Sequence, residues 1–284
     1  MTVKRVGIVG SGIMGSGIAE VAAKAGVEVS LRSRQQSSAD RMMAGLEKSL
    51  GKQVDKGKLD AAERDAVVGR VRAVTDLGEL AECDLVIESI VEDLAIKKHL
   101  FNELDRVCHD AAVLATNTST LPVVEMAMES RPDRVCGIHF FNPAPMMPLV
   151  EVVHCITTSD ETVETARAFA ESCGKNPVLV RDQAGFIVNA LLFPYLNNAV
   201  KLLDAGVASR DDIDAAMKGG CNFPMGPLEL LDLVGLDTSL AIVEALYAEF
   251  RDPNYAPAPL LRRMVSAERL GRKAGVGFYD YHRT

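Results

Sequence analysis

Two side chains with complementary acid–base chemistry fall close together near the middle of the chain. His139 closes the apolar run Val135-Cys136-Gly137-Ile138, and Glu151 belongs to the next apolar segment, Leu149-Val150-Glu151. Only a short Pro-rich stretch beginning Phe140-Phe141-Asn142-Pro143 separates them. A tight return there would set the carboxylate beside the imidazole. Such a carboxylate fixes the tautomer, supports the imidazolium, and makes a general base that works near neutral pH. The alternative is a histidine with a purely structural role. The other positions are less suggestive: His99 and His109 fall in a helical pattern and the turn after it, and His282 in the terminal tail.

A second constellation stands at the N-terminus. The β-branched run Val6-Gly7-Ile8-Val9 leads into Gly10-Ser11-Gly12-Ile13-Met14-Gly15, and a helical stretch follows to Lys24. A strand feeding Gly-x-Gly-x-x-Gly into a helix is the dinucleotide fingerprint. Gly10 serves the tight turn, Gly12 the close approach of backbone to pyrophosphate, and Gly15 the packing of helix on strand. The helix N-terminus then offers N–H groups and partial positive charge to the phosphates. NAD enzymes place an acidic residue about 20 residues later, against the ribose 2′-hydroxyl. Here the second strand ends at Arg32-Ser33-Arg34. Ser33 does not repel a 2′-phosphate, and Arg34 or Arg32 can pair with one through a guanidinium fork. The expected cofactor is therefore NAD(P), with a preference for NADP(H).

A third segment, Asn117-Thr118-Ser119-Thr120-Leu121-Pro122, closes another strand. Pro122 suits a first helical turn, so Ser119 or Thr120 as the cap of that helix is the favoured reading. The competing one has Ser119 hydrogen-bonding a substrate oxygen at the sheet edge.

The elements that must position these groups alternate. Apolar strand candidates are residues 4–9, 27–31, 71–74, 85–88, 113–116, 135–141, 149–153 and 178–180, with helical patterns between several of them. That order indicates a mainly parallel, Rossmann-type doubly wound α/β sheet, with an antiparallel edge where later strands follow closely. After the second strand, Met42, Leu46, Leu50 and Val54 form a stripe that stops at Gly57, and a second helical piece follows. This insertion, about residues 36–69, is longer than a minimal crossover and is expected to project as a helical arm. Residues 40–58 carry five basic against three acidic side chains, a candidate anion site. The alternation ends near residue 184. Residues 1–184 are thus a dinucleotide-binding domain, and 185–284 a smaller all-α domain with helices at 187–203, 210–218, 228–250 and 259–270. Pro194 should kink or divide the first of these.

Bulk properties narrow the classes. The chain has 284 residues, 48% hydrophobic and 25% charged, with a formal net charge of −8, which opposes general nucleic-acid binding. No apolar run nears the roughly 18 residues of a membrane span, and no signal peptide precedes the first strand. The six cysteines lack metal-type pairing, so no metal is expected and free thiols in the cytoplasm are.

Seven motifs occur in order along almost the whole chain: Gly10-x-Gly12-x-Met14-Gly15, Asn117-Thr118-Ser119, His139-Phe140-Phe141-Asn142-Pro143, Leu149-Val150-Glu151, Gly185-Phe186-Ile187-Val188-Asn189, Pro224-Met225-Gly226-Pro227 and Gly275-x-Gly277-Phe278-Tyr279. Together they resemble the L-3-hydroxyacyl-CoA dehydrogenase family, and within it the stand-alone bacterial 3-hydroxybutyryl-CoA dehydrogenases. The resemblance implies hydride exchange between a nicotinamide and an acyl-CoA. His139 would be the general base, Glu151 its support, and Ser119 and Asn189 the hydrogen-bond donors to the reacting oxygen or thioester carbonyl. It also implies that Glu92, Lys97, Asn142 and Lys273 surround the dinucleotide or the edge of the active site, and that Ser49 and Lys56 touch coenzyme A. Subunits of the family pair through the helical domain, so a homodimer is expected. Ser33 departs from the family's acidic residue, which puts the choice of NAD in question but not the reaction. Two other readings compete. Hydroxyisobutyrate-type 3-hydroxyacid dehydrogenases and their imine-reducing relatives rely on an inter-domain lysine, whereas here the first lysine after Gly185 is Lys201. A non-catalytic nucleotide-binding protein would not need the set Ser119, His139, Glu151 and Asn189.

Overall fold

The computed structural model describes residues 2–282, and the chain forms two compact units, Met1–Asp182 and Gln183–Thr284. In the first, eight strands make one sheet: β1 (Arg5–Val9), β2 (Glu28–Arg32), β3 (Val71–Val74), β4 (Leu85–Glu88), β5 (Val113–Thr116), β6 (Val135–Phe140), β7 (Leu149–His154) and β8 (Asn176–Arg181). Their order is β3-β2-β1-β4-β5-β6-β7-β8. The first six are parallel, β7 is antiparallel to β6, and β8 is parallel to β7. The expected antiparallel edge is therefore a pair of strands.

The chain winds outward from β1 in one direction, then crosses to β4 and winds in the other. The switch point lies at the carboxyl ends of β1 and β4, the place where open α/β sheets bind ligands. Along these two strands Val6, Ile8, Leu85 and Ile87 are fully buried because helices cover both faces. These helices are α1 (Ile13–Lys24), α2 (Gln36–Asp55), α3 (Ala61–Gly69), α4 (Leu94–Val107), α5 (Val123–Ala127) and α6 (Asp160–Ser172).

The inserted arm is the pair α2 and α3. Its stripe does not stand free. Ala39, Met42, Leu46 and Leu50 join Ile18, Ala22 and Val71 in the hydrophobic core, so the arm is anchored to the sheet domain through this stripe. Val54, the last of the stripe, is only half-buried. Helix α3 begins with a capping box, Asp60 accepting from the Glu63 N–H and Glu63 from the Asp60 N–H.

The second unit is all helical: α7 (Val188–Asp204), α8 (Arg210–Cys221), α9 (Pro227–Val234), α10 (Leu236–Phe250) and α11 (Pro259–Ser266). One expectation from sequence fails here, and one is narrowed. Residues 228–250 are not one helix, because Gly235 at φ +102° separates α9 from α10, a backbone state that suits glycine. Of the two effects expected of Pro194, division does not occur: α7 runs through it, and the nearby Phe193 and Leu196, buried in the unit's core, hold the helix by packing. Helix α11 also ends earlier than expected, at Ser266.

Two buried aspartates organise this unit. Asp214 accepts from the Leu228 and Glu229 N–H groups at 2.8 and 3.0 Å, capping α9, and from the Tyr279 hydroxyl at 2.7 Å. Asp232 accepts from the Phe278 and Tyr279 N–H groups and from the Tyr281 hydroxyl. Burial drives the Asp232 carboxyl above the usual carboxylate range despite those donors. A Cβ on Gly226 would sit 2.2 Å from Asp214 Cγ, and one on Gly277 2.0 Å from Asp232 Oδ1. The glycines of both C-terminal motifs thus leave room for the capping carboxylates. Gly226→Ala should lower unfolding stability by about 1–3 kcal/mol through this overlap. Gly51→Ala, on α2 with open space around it, should instead be neutral or gain up to about 1 kcal/mol. Urea unfolding of the two variants checks the contrast, and equal effects would contradict it.

Candidate active site

His139 and Glu151 are direct partners in the β6–β7 ladder. In an antiparallel pair, opposed residues present their side chains to the same face. Here Nδ1 of His139 lies 2.7 Å from Oε2 of Glu151, with Glu151 fully buried and His139 4% exposed. A carboxylate only accepts, so Nδ1 donates, and in the neutral ring Nε2 carries the lone pair. That nitrogen is 3.2 Å from Oγ of Ser119. Phe141 packs on the same imidazole at 4.5 Å between ring centroids.

Ser119 is not the helix cap that the sequence favoured. Helix α5 is capped by Asp182, whose two carboxylate oxygens accept from the Val123 and Val124 N–H groups at 2.9 and 2.8 Å. The Thr118 hydroxyl accepts from the Leu121 N–H, 2.9 Å away. With the local N–H groups satisfied elsewhere, the Ser119 hydroxyl is left to face His139.

The segment carrying Ser119 is held by a buried charge network. Glu88, at the end of β4, pairs with Nζ of Lys97 at 2.6 Å, the two side chains 0% and 1% exposed. Glu88 also accepts from the Ile90 N–H and the Thr116 hydroxyl. Lys97 pairs as well with Glu92 at 3.2 Å, and Glu92 accepts from the Ser119 N–H and the Thr118 hydroxyl. Sequence reasoning named Glu92 and Lys97 but missed Glu88, Thr116 and Thr118; a lone Glu ending the apolar run of β4 was the available signal. Asn117 adds a further tie, accepting from the Phe140 N–H at 2.8 Å.

The glycine turn fits a dinucleotide. Gly10 has φ +141°, and a Cβ there would meet the Ser89 carbonyl oxygen at 2.2 Å, so β1 and β4 approach too closely for any side chain. A Cβ on Gly15 would meet the Gly10 carbonyl oxygen, also at 2.2 Å, whereas the space beside Gly12 is open. Gly12 is the N-cap of α1 without a side-chain cap, and no acidic residue occupies the first turn. The first-turn N–H groups therefore suit phosphate. Ile13 is 77% exposed at this edge, while Met14 is half-buried. Ser33 is buried at the end of β2, its N–H donating to the Val74 carbonyl. Arg32 is committed through Nε to the Thr75 carbonyl, and burial lowers its guanidinium from the ordinary range. Arg34 is exposed and forms no hydrogen bond or ion pair among the described residues.

A cavity of about 510 Å³ lies between α1, α2 and the β6–β7 connection, lined among others by Gly12, Ile13, Glu20, Arg41, Ser49 and Asn142. Ser49 donates to Glu20 at 3.0 Å. Lys56, at the C-cap of α2, is exposed and does not line this cavity. Asn189, buried in the first turn of α7, and Lys273, paired with Asp237, belong to the second unit.

Residues 5–183 match the family description "3-hydroxyacyl-CoA dehydrogenase, NAD binding domain", and residues 185–281 match "3-hydroxyacyl-CoA dehydrogenase, C-terminal domain". The chain belongs to the 3-hydroxyacyl-CoA dehydrogenase family. A 3-hydroxybutyryl-CoA dehydrogenase of Clostridioides difficile is 48% identical over 280 residues, 98% of this chain and 100% of that one. The hydroxyacyl-coenzyme A dehydrogenase of pig mitochondria is 41% identical over 98% of this chain and 91% of its own. The crystal structure of (S)-3-hydroxybutyryl-CoA dehydrogenase from Ralstonia eutropha superposes with a TM-score of 0.97 at 40% identity, covering 99% of this chain and 100% of that one. M. tuberculosis FadB2 gives 0.96 at 47% identity, with the same coverage of the two chains. The dehydrogenase family thus accounts for both units, and its NAD-binding domain is the one that holds the Ser119–His139–Glu151 array. Among the described residues no helix is long and apolar enough to cross a membrane.

Removing the Lys97 ammonium would strand a buried carboxylate. Lys97→Met should cost about 3–5 kcal/mol of stability without ligands, and the double variant Glu88→Gln/Lys97→Met should recover much of it. Denaturant titration of the three proteins measures the coupling, and strictly additive losses would contradict the network.

Proposed function

We propose that the chain interconverts (S)-3-hydroxyacyl-CoA, of the 3-hydroxybutyryl type, and the corresponding 3-ketoacyl-CoA. The observation that carries this reading is the file Ser119 Oγ, His139 Nε2, His139 Nδ1 and Glu151. A bound nicotinamide supplies the two-electron hydride acceptor or donor. His139 Nε2 takes the 3-hydroxyl proton as the C3–H bond breaks and the carbonyl forms. In the reductive direction the protonated ring returns that proton to the developing alkoxide. Glu151 compensates the charge the ring gains and keeps Nε2 turned to the substrate. Ser119 hydrogen-bonds the reacting oxygen, and Asn189 is assigned the same oxygen or the thioester carbonyl. Glu92, Lys97, Asn142 and Lys273 keep their roles around the cofactor and the edge of the site.

The acyl-CoA enters along the α1–α2 cavity, where Ser49 stands, with Lys56 farther out on the basic arm. For the nicotinamide, the neutral Ser33 and the unpaired Arg34 support a preference for NADP(H), with Arg34 as the partner of the 2′-phosphate. NADPH use favours reduction of acetoacetyl-CoA. Exposed Leu191, Val207 and Phe223 support pairing of two copies through the C-terminal unit, and the six free thiols support a cytoplasmic protein.

His139→Ala should lower kcat for acetoacetyl-CoA reduction by about 10²–10⁴-fold. Full activity in that variant would remove the proposed mechanism. Ser33→Asp should move the ratio of kcat/KM for NADPH over NADH toward NADH by about tenfold or more. A wild type that already prefers NADH defeats the NADP(H) reading and leaves the reaction untouched.

A further inference from the structure

Lys175 precedes β8 and is 8% exposed, yet among the described residues it forms no ion pair. Burying a cation without a counter-charge is unfavourable unless every N–H finds a good acceptor. Its acceptors are two backbone carbonyls: Ala144 at 2.7 Å and Met147 at 2.9 Å. Both belong to the connection between β6 and β7, whose own turn is closed by the Met146 and Met147 N–H groups donating to the Pro143 carbonyl. Asn142, Pro143, Ala144 and Pro145 of this connection line the 510 Å³ cavity. From the opposite side the loop rests on α1: a Cβ on Gly17 would stand 3.2 Å from Ala144 Cβ and 3.4 Å from Pro145 Cδ. Ala144 is accordingly 2% exposed, gripped between a bare helix surface and an ammonium.

We propose that Lys175 is a positioning residue for the acyl-CoA substrate, its ammonium holding the loop of residues 142–147 in place as one wall of the cavity. This rests on the acyl-CoA reading above. The clamp acts on substrate binding rather than on chemistry. The His139–Glu151 register is fixed by the β6–β7 ladder itself, and the Lys175 ammonium donates to carbonyls of the connection. A lysine present only for stability would be replaceable by an apolar side chain of similar length without effect on the substrate.

The test is steady-state kinetics of Lys175→Met with acetoacetyl-CoA. KM for acetoacetyl-CoA should rise about tenfold or more, the loss of hydrogen bonds from a charged donor, with kcat within about threefold. Gly17→Ala probes the same wall from the other side and keeps the lysine. Alanine is the better helix former, and its Cβ at 3.2 Å from Ala144 asks the loop to give by only a few tenths of an ångström; with folding checked by thermal unfolding, this variant too should raise KM for acetoacetyl-CoA while sparing kcat. An unchanged KM in a folded Lys175→Met, or in Gly17→Ala where the lysine variant does not fold, overturns the clamp while leaving the reaction in place. So does a parallel fall in kcat with KM unmoved. A wild type with no turnover of acetoacetyl-CoA overturns the functional reading and the clamp together.

Discussion

A fully buried carboxylate must be answered by a donor, and Glu151 is answered by His139. Their pairing depends on one feature of the sheet, the reversal of strand direction between β6 and β7. Antiparallel neighbours in direct register point to the same face, so placing His139 opposite Glu151 brings the two groups within 2.7 Å without any loop having to reach. A slip of one residue would turn Glu151 to the other face of the sheet and leave its charge in a hydrocarbon layer. The register is therefore selected twice, by the apolar residues that must stay buried and by a charge that cannot be stranded. Asn117 ties the end of β5 to Phe140 beside this pair, and Lys175 ties the far side of the connection.

The same logic recurs wherever the chain needs precision. Glu88 and Lys97 neutralise each other under the switch point and, through Glu92, hold the backbone of Ser119. Asp182 caps α5 and so releases Ser119 from that duty. Asp214 and Asp232 bind the C-terminal tail residues to α8 and α9. Hydrogen bonds to charged acceptors are worth about 1.5–3 kcal/mol each, and removing one partner costs more than the pair gains, because the survivor stays dry. Part of the acidic excess of this protein is thus structural and internal, which a surface view of a net charge of −8 would not reveal.

The central strands were legible from the sequence because apolar runs such as Val6–Val9 or Leu85–Ile87 are dictated by burial on both faces, and the partly exposed edge strands β3 and β8 were legible from their β-branched residues. The His139–Glu151 pair was legible for a related reason: two short strands and a tight return leave few registers. What could not be read was anything set by long-range polar contacts. Asp182 is 59 residues from the N–H it caps, so local rules pointed to Ser119 or Thr120. Lys175 reads as a surface lysine beside Gly174, and nothing nearby discloses that its acceptors lie 31 and 28 residues upstream. The arm itself was legible, but its anchorage was not. Its stripe was visible, but whether a stripe packs on its own domain or stands apart depends on the partner surface, here α1 and β3. In the second unit, the break at Gly235 lies inside a continuous apolar pattern, where periodicity alone favours a single helix.

An acidic protein that handles anionic ligands must supply local exceptions to its own charge. The glycine turn does so with backbone: α1 opens at Gly12 with no side chain over its N–H groups and no acid in its first turn. The cavity beside it meets a harder problem, because Glu20 lies in its wall. Burial alone would push that carboxyl up. Lys24, Gln53 and Ser49 donate to it, and their hydrogen bonds with the Lys24 charge outweigh burial and hold it below the usual range. Its negative charge is thereby spent inward, on the cation and the two donors that bridge α1 to α2. What the wall offers is then Arg41 and Ser49 beside the apolar Ile13, Met42 and Leu46, rather than a free carboxylate. Anchoring the arm and muting a charge in the cavity wall are one event, so a change that frees Glu20 would loosen α2 and make the cavity repel anions at once.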